Sequence, residues 1–310
     1  MELDLLKWML PLIQNDPRLE VPAGDDAAVL RTRGTRRIVI TVDMLTEGVD
    51  FVFGENCSAE QVGHKALAVN LSDLAAMAAQ PEAIVVSVCL PQTSDCTIAK
   101  ELFHGIHSLA SQHDMVIAGG DTNTWDGGLV ISITALGSVE PQKAWRRHGA
   151  QKGDRVVVTG PCGGSILGRH LNVAPRCREA RMIAERFSVQ SAIDISDGLS
   201  LDLSRMMSAS ETGCVLHAPE IPIHDDAKVL SQQLEGDTSP LEHALTDGED
   251  FELLLTLSAE DATQLVADPP PGLQPAIIGE VTAEQGLFLE ETTGKRHPLS
   301  PKGFVHVFSK

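Results

Sequence analysis

Aspartates recur in this chain where apolar runs begin or stop. Asp25 and Asp26 precede AAVL, Asp43 ends IVITVD, Asp121 ends MVIAGGD, and Asp194 and Asp197 punctuate AIDISDG. Asp73 sits inside the apolar segment VNLSDLAAM, three residues after Asn70 and so on the same face of a helix. Any one of these reads as a cap or a turn residue. As a set they read differently, because strand ends that converge at one sheet edge crowd like charges together. Such crowding raises carboxyl pKa values and opposes folding until cations neutralise it. With no Cys or His at ligand spacing, an all-oxygen set suits Mg²⁺ rather than zinc. Mg²⁺ commonly joins protein carboxylates to substrate phosphates. Asp25 and Asp26 are therefore expected to form one arm of a magnesium–phosphate cradle.

The elements that must position these acids alternate along the chain. RRIVITVDML (36–45) has strand composition, and so do EAIVVSVCLP (82–91), MVIAGGDT (115–122) and GGLVISITALGSV (127–139). The segment 58–80 has a Ser start and helical periodicity, and 95–113 is a second helix with an acidic cap. LDLLKWMLPLI near the N-terminus reads as a short amphipathic helix. A polar, turn-rich stretch at 140–154 marks a boundary. Beyond it RVVVTG runs into a glycine-rich turn, PCGGSILG, which matches neither a phosphate loop nor a dinucleotide fingerprint and reads as a tight strand-to-helix turn. Strand and helix signals then continue to AIIGEV (276–281). The alternation and the two halves predict a two-domain α/β or α+β protein.

Composition narrows the chemistry. With 24 Lys+Arg against 43 Asp+Glu, a net charge of −19, the chain cannot bind nucleic acid through its general field. A polyanionic ligand would need cations as intermediaries. RTRGTRR (31–37) reads as a solvated hairpin tip. The six cysteines form no C-x-x-C pair and read as reduced, mostly buried thiols of a cytoplasmic protein. The apolar runs are too short to span a membrane, and the N-terminus lacks a secretory cleavage pattern. No nucleophile elbow, H-E-x-x-H or kinase H-R-D motif occurs.

The blocks GDDAAVL, TVDMLTEGVDF, GHKALAVNLSDLAAMAAQP, GGDT, RRHGAQKGDRVVVTG, AIDISDGLSLDL and ALTDGEDFELLLT run in this order across nearly the whole chain. Together they resemble the thiamine-monophosphate kinases, of the superfamily that includes aminoimidazole ribonucleotide synthetase. The resemblance implies an N-terminal sheet domain (1–140) that binds ATP and magnesium and pairs with a second copy to make a homodimer. It implies a C-terminal α/β domain (141–310) that completes the site. The implied reaction is γ-phosphoryl transfer from ATP to thiamine monophosphate. By the same resemblance Asp25, Thr41, Val42, Asp43, Asp73, Asp121, Asp194 and Asp197 match metal-binding positions, Val42 replacing the middle residue of the usual S-T-D. Gly120, Asp121, Arg147, Ser196 and His104 match nucleotide positions, with Arg147, Asp73 and Asp121 closest to the chemistry. Asp50, Glu249 and Phe304 match the positions that hold the thiamine end. Asp50 replaces a histidine and His104 an aromatic residue, in a chain without tyrosine. A kinase with another small-molecule acceptor, or a nucleotide-binding dimer without turnover, are the alternatives.

Overall fold

The computed structural model describes residues 17–22, 24–54, 56–233 and 238–305; the expected N-terminal amphipathic helix lies outside them. The first half opens with short strands β1 (Leu19–Val21) and β2 (Ala28–Leu30) and the long β3 (Arg37–Thr46). Helix α1 (Ala59–Ala76), β4 (Gln80–Pro91), α2 (Cys96–Gln112), β5 (Val116–Trp125) and β6 (Val130–Val139) follow. The strands form one sheet in the order β1-β2-β3-β6-β4-β5, antiparallel except for β4 beside β5. The basic 31–37 segment is the tip of the β2–β3 hairpin, as its composition predicts.

Sequence signals place both helices well. Ser58 caps α1 through a capping box with Gln61, and the Asp95 carboxylate caps α2 by accepting the Thr97 and Ile98 N–H groups. Helix α1 is buried almost all round, because the sheet covers one side and the second half of the chain the other. Gly63 and Gly105 let α1 and α2 cross closely. A Cβ at Gly63 would lie 2.1 Å from the Leu102 carbonyl oxygen, and one at Gly105 would lie 1.9 Å from that of Glu60.

The second half contains β7 (Arg155–Val158), α3 (Cys177–Arg186), β8 (Val189–Asp194), α4 (Leu199–Ala209) and β9 (Gly213–His217). Then come α5 (Asp225–Gln233), α6 (Pro240–Thr246), β10 (Leu253–Leu257), α7 (Ala259–Ala267), β11 (Ala276–Thr282), β12 (Gly286–Glu290) and β13 (Arg296–Pro298). The sheet order is β13-β12-β9-β11-β7-β10-β8. Strand β10 is buried along its whole length: Leu253, Leu255 and Leu257 face a core shared with α1 and the first sheet, while Leu254 faces a second core behind β7 and α4. The glycine-rich segment gives two single-turn 3₁₀ helices (Ser165–Leu167 and Arg169–Leu171) rather than an α-helix. Its Gly163 N–H is bound by the Asp250 carboxylate and its Gly164 N–H by Asp247, so these donors are already engaged. All six cysteines are free thiols, and Cys57, Cys162, Cys177 and Cys214 are buried. No helix among the described residues is long and apolar enough to cross a membrane.

Candidate active site

Three carboxylates from three separate elements meet where the halves join. Oxygens of Asp26, Asp73 and Asp194 all lie within 4.8 Å of one another. Asp26 comes from the loop before β2, Asp73 from the last turns of α1, and Asp194 from the end of β8. Each is held in place. Thr41 Oγ1 on β3 donates to Asp73 Oδ2, and Ser72 Oγ donates to Asp194 Oδ2 at 2.5 Å. The Arg147 guanidinium reaches both oxygens of Asp26, at 3.0 and 3.3 Å, and its backbone N–H donates to Asp25 Oδ1 at 2.9 Å.

Asp25 and Asp26 thus divide the labour expected of Asp25. Asp25 anchors the linker backbone, and it is Asp26 that joins the acid cluster. The G-D-D spacing cannot separate them, because adjacent residues in a turn point in different directions.

Electrostatics follow from this crowding. Burial, reinforced by the negative charges of Asp43, Asp194 and Asp26, pushes the Asp73 carboxyl well above its usual range. Asp194 is raised chiefly by burial and then by Asp26. Asp43, two residues along β3 from Thr41, is pushed up to about 6, mainly by burial and further by Asp50. One buried oxygen of Asp43, Oδ2, has no hydrogen-bond partner, and neither does the buried Oδ1 of Asn70, one turn before Asp73. Convergent carboxylates, orphaned oxygens and the lack of a thiol or imidazole in the cluster fit a hard divalent cation such as Mg²⁺.

A pH dependence follows. These carboxyls have folded-state pKa values above their unfolded values near 3.8, so protonation favours the fold. Their favourable contribution is complete below the unfolded value and is lost as pH rises through the folded ones. For Asp43 alone, a value of about 6 corresponds to a loss of roughly 3 kcal/mol of stability between low and neutral pH. In EDTA, Asp43→Asn is expected to show a melting temperature that falls less between pH 4 and 7.5 than that of the unaltered protein. Mg²⁺ should flatten the unaltered profile. Parallel profiles in calorimetry would refute the assignment.

A cavity of about 520 Å³ is also lined by both halves of the chain. Asp50, Phe51 and Phe53 come from the segment after β3, and His170 and Glu249 from the second half. Asp50 Oδ2 accepts the Thr46 N–H at 2.7 Å. Glu249 occupies a left-handed conformation, φ 62°, fixed by its own N–H donating to the Ser196 carbonyl oxygen at 2.7 Å. Its carboxylate is gripped by Lys65 Nζ at 2.5 Å and His170 Nδ1 at 3.1 Å. Burial opposes that charge, but His170 and Lys65 prevail and hold the Glu249 carboxyl below its usual range. Lys65 is fully buried on α1 and also donates to the Asp50 carbonyl oxygen at 2.6 Å. Lys65 and His170 are absent from the sequence expectations. The available signal was a lysine followed by the apolar run Ala66–Val69, seven residues before Ser72 and on the same face.

Other expected residues are not gathered here within one chain. Asp121 on β5 is exposed and pairs in register with Ser87, across from Ser132 and Met44. It therefore lies on the sheet face opposite Thr41 and Asp43. Val42 is 61% exposed on that same outer face. Gly120 and Asp121 line a separate cavity of about 330 Å³ with Phe103 of α2, next to the exposed His104. Asp197 is paired with Arg205 at 2.6 Å rather than with the acid cluster. Its carbonyl oxygen accepts the Phe304 N–H at 2.9 Å, and Phe304 is half exposed.

An acid-lined cleft between two mixed α/β halves defines the class. The model of the AIR synthase related protein N-terminal domain matches residues 24–139, and that of the corresponding C-terminal domain matches 146–291. The chain belongs to this family, within its thiamine-monophosphate kinases. Thiamine-monophosphate kinase of Rhodopirellula baltica is 40% identical over 99% of this chain and 97% of its own length. The Escherichia coli K12 enzyme of the same name is 32% identical over 93% and 92%. A solved structure, AaThiL complexed with AMPPCP and TMP, is 26% identical with a TM-score of 0.82, covering 99% of this chain and 96% of that one. The thiamine-monophosphate kinase of Stenotrophomonas maltophilia K279a is 31% identical with a TM-score of 0.74, over 93% and 95%.

Proposed function

We propose that the protein transfers the γ-phosphoryl group of ATP to the phosphate of thiamine monophosphate, giving thiamine diphosphate and ADP. The observation that carries this reading is that the Asp26–Asp73–Asp194 cluster and a cavity bearing Asp50 and Glu249 are both built from the two halves of the chain. The relative solved with AMPPCP, an ATP analogue, and TMP supports it. Asp26, Asp43, Asp73 and Asp194, with Asp25, Thr41 and Asp197 nearby, would hold Mg²⁺, and Mg²⁺ would neutralise charge on the phosphates. Arg147 holds Asp26 and would meet the transferred group. The attacking phosphate oxygen is already anionic, so these residues need supply no general base; their work is positioning and charge neutralisation. Glu249 and Asp50, with the Phe51 and Phe53 rings, suit the thiazolium cation.

In this reading residues 1–140 carry nucleotide, metal and dimer contacts, and residues 141–310 complete the site. The outer sheet face exposes Val42, Met44, Val85 and Val116, a surface suited to a second copy of the chain. Such a homodimer would also give Asp121, Gly120 and His104 a place beside a partner's nucleotide. Phe304 and Ser196 would border the acceptor and nucleotide ends, in a cytoplasmic enzyme.

The test is ADP formation with and without thiamine monophosphate. Turnover that depends on it is expected; turnover with another acceptor, or binding alone, would replace the reading. Asp50→Asn keeps an acceptor for the Thr46 N–H but removes the charge. It should raise KM for thiamine monophosphate about tenfold with kcat within about twofold, the loss of one cation contact. An unchanged KM would remove Asp50 from the acceptor site.

A further inference from the structure

A further cavity borders the linker that joins the two halves. It measures about 730 Å³, within the range of small-molecule sites. Four cationic side chains line it: Arg36 from the β2–β3 hairpin, Lys143 and Arg146 from the linker, and Arg181 from α3. Two carboxylates, Glu140 and Glu185, also border it.

Acids outnumber bases 43 to 24, and Arg37, Arg147, Arg155, Arg169, Arg176, Arg186, Arg205 and Arg296 each engage a carboxylate. Among the described residues Arg36, Lys143, Arg146 and Arg181 have no ion-pair partner. Arg36 donates only to Ser138, through Nε at 2.9 Å and Nη2 at 3.2 Å, and Arg146 Nη1 contacts only His148 Nε2 at 3.5 Å. Unpaired guanidinium groups converging from three elements suit a ligand with several anionic oxygens, which they can meet with paired hydrogen bonds.

We propose that this cavity binds a small phosphorylated anion, distinct from the metal-dependent site. Its position gives binding a consequence. Arg146 and Arg147 are consecutive, one side chain lining this cavity and the other holding Asp26. The Arg146 carbonyl oxygen also accepts the Ala192 N–H at 2.8 Å, two residues before Asp194. An anion drawn to Arg146 therefore bears on the segment that sets two of the three clustered carboxylates.

Calorimetric titration of the full chain with inorganic diphosphate in EDTA tests this, because without divalent cations the acid cluster repels anions. Saturable one-site binding is expected. A Lys143→Gln/Arg181→Gln double variant should weaken it about tenfold or more, the value of two charged contacts, with Mg²⁺-dependent ATP turnover unchanged. Repeating the titration with ADP identifies the source: tighter binding than diphosphate means a phosphorylated metabolite, and equal or weaker binding means the inorganic anion. No saturable binding to the unaltered protein, or equal binding by the double variant, would overturn the proposal.

Discussion

Asp73→Asn should lower kcat by about 10²–10³-fold, the usual scale for losing one electrostatic anchor of a phosphoryl-transfer site. The same variant should be more stable than the unaltered protein when metal is absent. Both effects have one cause. Burial, reinforced by the charges of Asp43, Asp194 and Asp26, pushes the Asp73 carboxyl well above its usual range. An amide of the same shape can still accept from Thr41 Oγ1, yet it no longer repels its neighbours. Mg²⁺ would then stabilise the variant less than the unaltered chain. Urea denaturation in EDTA and in Mg²⁺, beside steady-state turnover, measures both. Turnover within tenfold of normal, or lower stability in EDTA, would contradict the cluster's role.

The second large effect concerns Lys65. Its ammonium is fully buried and holds Glu249, itself part-exposed, and the Asp50 carbonyl oxygen. Lys65→Met keeps the apolar bulk but strands the Glu249 carboxylate with His170 alone. The expected cost is about 2–4 kcal/mol of stability, towards the lower part of that span because Glu249 is partly solvated. KM for the acceptor should rise as well, since Glu249 loses the contact that orients it. Adding Glu249→Gln should recover much of the stability but none of the KM, a coupling visible in a double-mutant cycle. Additive losses in the two single variants would show that the pair is not energetically linked.

Much of this was legible because it is local. Helix starts at Ser58 and Asp95, the four long strands of the first sheet and the acids at strand ends follow from short-range patterns. What escaped is set by long-range geometry. Whether Asp25 or Asp26 turns inward depends on Arg147, far along the chain. Asp121 shares the strand-end signature of Asp43, but strand register places it on the other sheet face. Asp247, Asp250 and Glu252 look like Glu249 in sequence. Asp250 and Asp247 instead bind the Gly163 and Gly164 backbone, and Glu252 pairs with Arg176. Lys65 seemed an ordinary helix residue until the second half supplied Glu249 and His170.

Helix α1 has a consequence for how the chain reaches its native state. Its residues leave the ribosome early, but Asp194, His170 and Glu249, which satisfy Ser72 and Lys65, are made much later. Until then a helix that ends up buried almost all round, with a lone ammonium, lacks half its cover. The nascent first half is therefore a natural client for chaperones, and neither half should persist long without the other.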